Sequence, residues 1–115
     1  MSKLLTLKKN FEFSRVYQRG KYYVGRKMTM YSHKNRCEET RFGISASKKV
    51  GKAVQRNRIR RLIKENICQY QDSISPGYDI VIVVRKNDDL PTFNEIKKEM
   101  KFLLKKLKVL DVKND

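Results

Sequence analysis

The chain has 115 residues, 28 Lys+Arg against 12 Asp+Glu, and a formal net charge of +16. At this size it is one domain spanning 1–115, since a division would leave each half with too little core. Hydrophobic residues make up 39% and recur periodically, which excludes a disordered chain; no apolar run approaches the roughly 18 residues of a membrane span.

In chain order, MSKLLTLKKNFEF has too short an apolar stretch for a signal peptide, so a cytoplasmic protein is expected. Asn10 reads as an N-cap and Gly20 as a C′ residue, bounding a helix over about 11–19 with Phe11, Phe13, Val16 and Tyr17. Residues 22–33, YYVGRKMTMYSH, are rich in β-favouring types and read as a strand with room to be bent or split in two. The polar KNRCEE turns the chain into RFGISAS, where Phe42, Ile44 and Ala46 alternate as in a half-buried strand. A basic loop, SKKVGK, leads into a helix from about Ala53 to Tyr70, with Ile59, Leu62, Ile63, Ile67 and Tyr70 as its core stripe. Ser75-Pro76-Gly77 is turn chemistry, and YDIVIVVRK is an apolar run suited to a strand buried on both faces. Thr92 and Glu95 form a capping box for a final amphipathic helix carrying Phe93, Ile96, Met100, Leu103, Leu104 and Leu107. The order is α-β-β-α-β-α, or α-β-β-β-α-β-α if the first strand divides.

The charge is unevenly placed. Residues 1–36 hold ten basic residues and one acid, 41–64 hold nine and none, and 65–115 hold nine of each. That asymmetry points to a docking face for a polyanion. Composition by itself does not separate DNA, RNA and acidic membrane. Cys37 and Cys68 stand apart without a CxxC, and with the lone His33 they fall short of four zinc ligands. Two reduced thiols are expected.

The densest signal is SKKVGKAVQRNRIRRLIKE, residues 47–65. On a helix Arg56, Arg60 and Lys64 fall at i, i+4, i+8, with Asn57 and Arg61 in the adjacent row. Like charges four apart destabilise an isolated helix by a few tenths of a kcal/mol each, and no acid compensates before Glu65. A bound anion resolves that cost. Lys48, Lys49, Lys52, Arg56, Asn57, Arg58, Arg60, Arg61 and Lys64 are therefore the candidate polyanion-binding residues, guanidinium forks matching phosphate oxygens and Asn57 able to bond a phosphate, a 2′-hydroxyl or a base edge. Ser47 and the helix N-terminus add donors to the same place. Lys8, Lys9, Arg15, Arg19 and Lys21 are further basic candidates.

This stretch resembles the RNR signature of the bacterial ribonuclease P protein component. The likeness extends to F-x-x-V-Y (13–17), the strand ending in Tyr31, R-x-G-I-S-x-S-K-K (41–49) and D-I-V-I-V-V-R (79–85), in the family's order, over roughly 3–107. It implies an α+β fold, a small α/β sandwich α-β-β-β-α-β-α with a four-stranded sheet and a left-handed βαβ crossover, against the usual right-handed rule. It also implies the protein subunit of a ribonucleoprotein that removes the 5′ leader from precursor tRNA. The catalytic RNA would carry the hydrolysis with Mg²⁺, and no other protein subunit would be required. By the same resemblance Phe13, Tyr17 and Tyr31 line a leader-binding cleft between helix and sheet, a stacking platform on a basic floor. From the residues alone these three are equally core aromatics. Met28 stands where many members carry an aromatic.

No catalytic or metal-binding residue is assigned to the protein. Two-metal nucleases need convergent carboxylates; the acids here are sparse, Asp88-Asp89 sits in a turn before Pro91, and His33 has no base or nucleophile partner. Three competitors share the charge: a structural RNA-binding protein, a helix-turn-helix DNA regulator using 53–70, and a self-sufficient nuclease. The regulator lacks a short preceding helix, and the nuclease lacks carboxylates.

Overall fold

The computed structural model describes residues 5–87 and 89–110. Helix α1 spans Asn10–Arg19, and the sequence reading of its ends needs correction. Asn10 is already helical; the free N–H groups of Lys8 and Lys9 instead donate to the Glu12 carboxylate, both at 2.9 Å. Gly20 ends the helix in an extended conformation, φ −81°, rather than a left-handed one.

The expected strand over 22–33 is a hairpin, β1 (Lys21–Val24) and β2 (Met28–Lys34). Its tip is held from far along the chain. Backbone N–H groups of Arg26 and Lys27 donate to the Glu99 carboxylate, and the Arg85 guanidinium donates to the Gly25 carbonyl at 2.7 Å. Then come β3 (Arg41–Ser45), a 3-10 turn (Lys48–Val50), α2 (Ala53–Tyr70), β4 (Tyr78–Val84) and α3 (Phe93–Lys106). Gly77 takes φ +87° in the turn before β4, a conformation that favours glycine. Thr92 caps α3, accepting from the Glu95 N–H at 3.2 Å while Glu95 accepts from the Thr92 N–H at 2.9 Å.

The sheet order is β1-β2-β4-β3, with β4 antiparallel to β2 and parallel to β3. Both faces are covered. Ile59, Ile63 and Ile67 of α2 and Ile96, Met100, Leu103 and Leu104 of α3 pack on Met28, Met30, Phe42, Ile80 and Ile82. On the other face α1 lays Val16, with Phe13 beside it, over Val81, Val83 and Tyr31. Met28 thus belongs to the α2/α3 core, on the face away from the aromatic cleft candidates.

The handedness of the β3-α2-β4 crossover follows from the bonding pattern. Asn35 N–H donates to Gly77 O, and Arg85 N–H to Lys27 O, so odd residues of β4 turn their backbone groups toward β2. Odd Val81 faces α1, whereas even Ile80 and Ile82 face α2 and α3. In an upward strand of L-residues, a side chain pointing at the viewer has its N–H and C=O to the viewer's right. Seen from the α1 side, β2 is then to the right of β4, β3 to its left, and α2 behind. Passing from the left strand to the right one through a helix behind the sheet makes a left-handed turn. The exception to the right-handed rule is present.

Candidate nucleic-acid interface

Helix α2 buries Ile59, Ile63 and Ile67 at four-residue intervals, and that stripe decides where its cations go. Asn57, Arg58, Arg61 and Lys64 are exposed, as are Lys48, Lys49 and Lys52 ahead of the helix. No acid sits in the first turn, so helix dipole and lysines act together on an anion there. Among the described residues none of these cations is in an ion pair. Arg56 and Arg60 are different. Both are half-buried; Arg56 Nε is buried without a protein acceptor. Arg60 donates to Asn57 Oδ1 at 3.2 Å and to the Ala46 carbonyl at 3.4 Å.

That reach carries Arg60 past β3 to the α1 side. A cavity of about 390 Å³ is lined by Asn10, Phe13, Tyr17, Ser45, Ala46 and Arg60 among others. The basic helix and the aromatic group, separate in the sequence, therefore share one side chain. Phe13 can come this close to β3 because residue 43 is glycine: a Cβ there would be 2.5 Å from Phe13 Cε1. Tyr17 stands edge-on to Tyr31, ring centroids 5.0 Å apart. Burial raises the Tyr17 phenol pKa and a hydrogen bond with Ser45 partly offsets it, so at neutral pH the ring presents a neutral hydroxyl.

The sequence reading missed Tyr22. It pairs directly with Tyr31 across β1 and β2, its ring 5.4 Å away, and it is 61% exposed. Only the hairpin register could have placed it on that face, since cross-strand partners share a side. The N-terminal cations sort differently. Lys9 and Arg15 lie over the exposed Phe11 ring, and Arg15 and Arg19 line a polar basin with His33, Lys34 and Arg36 on the other flank of α1.

The family model for ribonuclease P matches residues 1–108. The chain belongs to the ribonuclease P protein family. It is 46% identical over 101 residues to the ribonuclease P protein component of Clostridioides difficile, covering 87% of this chain and 89% of that one. With the Fusobacterium nucleatum protein component the identity is 42% over 110 residues, covering 91% and 98%. Its fold is similar to the Staphylococcus aureus RNase P protein, TM-score 0.85 at 35% identity, over 94% of this chain and 99% of that one. The chain is thus a protein component of ribonuclease P, a ribonucleoprotein of tRNA processing.

Among the described residues no three His, Cys, Asp or Glu side chains are grouped to hold an ion. Asp79 is paired with Arg41, Glu12 and Glu99 hold backbone N–H groups, and Asp89 is exposed. Asp88 lies outside the described residues. Cys37 and Cys68 are exposed, free thiols. No described helix is long and apolar enough to cross a membrane.

Proposed function

We propose that the chain assembles with the catalytic RNA of ribonuclease P through 48–64 and holds the 5′ leader of precursor tRNA in the cleft of Phe13, Tyr17 and Tyr31. The observation that carries this is Arg60, which joins an unpaired basic helix surface to an aromatic-lined cavity. A single strand needs both elements, rings on which bases stack and cations that follow its phosphates. Lys48, Lys49, Lys52, Arg56, Asn57, Arg58, Arg61 and Lys64 bind the large RNA's backbone, releasing counterions as they do. Arg60 sits at the seam, so leader and catalytic RNA meet there and the cleavage site is close to α2.

In this reading endonucleolytic hydrolysis belongs to the RNA. Mg²⁺ held mainly by the RNA would supply the metal-ion chemistry of that hydrolysis, and no residue of this chain is assigned to hold it. The protein's residues add none of that chemistry; they orient the leader, neutralise phosphate and exclude slippage by stacking. The particle works in the cytoplasm with precursor tRNA as substrate and no further protein subunit. The test is cleavage of precursor tRNA by protein rigorously freed of RNA, by RNA alone, and by both. Correct 5′ processing that needs the RNA and improves with the protein supports the reading. Cleavage by the protein alone, abolished by Asp88→Asn or Asp89→Asn, overturns it.

A further inference from the structure

We propose that Tyr22 is a further stacking residue for the leader, and that the basic groove beyond it holds phosphates of nucleotides farther from the cleavage site. The inference rests on the leader-cleft reading and extends it. Tyr17, Tyr31 and Tyr22 form a continuous row with centroid spacings of 5.0 and 5.4 Å. One end of the row meets Ser45, Ala46 and Arg60. The other ends on β1, a sheet edge, where Tyr22 keeps most of its surface open to solvent. A large planar ring at 61% exposure buries little by packing on Tyr31 alone. A base on its open face would continue the row.

The groove past Tyr22 fits a phosphate chain. It has a volume of about 490 Å³ and is lined by Arg19, Lys21, Lys34, Lys106 and Lys108 together with His33. No Asp or Glu is among its lining residues. These cations come from the end of α1, both strands of the hairpin and the end of α3, so their convergence is a product of the fold. Five cations without an acid repel one another, and a polyanion removes that repulsion. Because α2 marks the cleavage end, a strand laid along the row reaches Tyr22 last. Tyr22 therefore reads leader length, and distal nucleotides are its ligands.

The experiment uses assembled holoenzyme and precursors whose leaders grow from two nucleotides to about a dozen, with mature tRNA as reference. Equilibrium affinities are compared for wild type, Tyr22→Ala, Tyr22→Phe, Lys21→Ala/Lys106→Ala and Tyr17→Ala. Tyr22→Ala should match wild type on short leaders and fall about 5- to 10-fold behind on long ones, a loss in the range of one stacked base. Tyr22→Phe should restore the long-leader affinity. The lysine pair should lower the salt dependence of long leaders only. The subsite is overturned if Tyr22→Ala equals wild type at every length, or loses equally on mature tRNA. Loss of leader discrimination in Tyr17→Ala without any in Tyr22→Ala removes this subsite and leaves the cleft. Full leader discrimination retained by Tyr17→Ala as well removes both.

Discussion

Arg41 grips Asp79 of the neighbouring strand with two hydrogen bonds, Nε to Oδ1 at 2.9 Å and Nη2 to Oδ2 at 2.8 Å. Its third arm, Nη1, donates to Glu12 Oε2 at 2.9 Å. One guanidinium thus ties the first turn of α1 to the central strand β4. Asp79 is 1% exposed and has Asn35 Nδ2 as a second donor at 2.8 Å. Its partner Arg41 is held protonated, chiefly by the hydrogen bond to Asp79.

Arg41→Ala leaves the Asp79 carboxylate buried with Asn35 alone. The loss should be about 3 kcal/mol of unfolding free energy, at the lower end for a broken buried pair because Arg41 is partly solvated. Denaturant unfolding at neutral pH measures it. A change under about 1 kcal/mol would mean that Asn35 and water suffice for Asp79.

Glu12 sets a pH dependence. Hydrogen bonds from the Lys9 and Lys8 backbone, then the Arg41 charge, hold its carboxyl below the usual range. A depressed folded value stabilises the fold above the unfolded pKa, about 4.3, and that gain disappears as pH falls through the folded value. Wild type should therefore exceed Glu12→Gln in stability at pH 7, and the gap should close on acidification below about pH 4. A gap that is constant with pH would place the effect of Glu12 in shape rather than charge.

Much of this was legible because the signals are local. The stripe of α2, the capping box Thr92/Glu95 and the unbroken apolar run of β4 each lie within one window of chain. What was not legible depends on distant partners. Glu99 meets the hairpin tip across more than seventy residues, so the local window allows a split near Gly25 but does not reveal what holds the tip. Strand parity decides that Met28 faces α3 while Tyr31 faces α1, and parity needs the register. Asn10 looks like a cap, but a Glu12 carboxylate two residues on already serves the free N–H groups. The left-handed crossover came from family resemblance; local pattern would have favoured the opposite hand.

Gly43→Ala tests how closely α1 sits. The added methyl occupies Phe13's place, so Phe13 must move or α1 must lift. A loss of about 1–3 kcal/mol is expected from overpacking, together with weaker leader discrimination. Thermal unfolding and precursor affinity of the variant holoenzyme check both. Unchanged values in each would show that Phe13 is free to swing away.

The basic helix should act through salt. Neutralising Arg58, Arg61 or Lys64 should weaken assembly with the catalytic RNA and flatten log K against log salt by nearly one unit per lost phosphate contact. Lys97, Lys98 and Lys105 of α3 are the comparison. Equal losses there would relocate the interface.

The most direct test of the cleft is a pair of measurements on Phe13→Ala, Tyr17→Ala and Tyr31→Ala: melting temperature, and the precursor-to-mature tRNA affinity ratio of the assembled holoenzyme. Stacking on leader bases predicts a ratio lowered by roughly 1–3 kcal/mol per ring, with mature tRNA affinity and assembly preserved. Lowered melting temperatures with an unchanged ratio would contradict the account and return the three aromatics to the core.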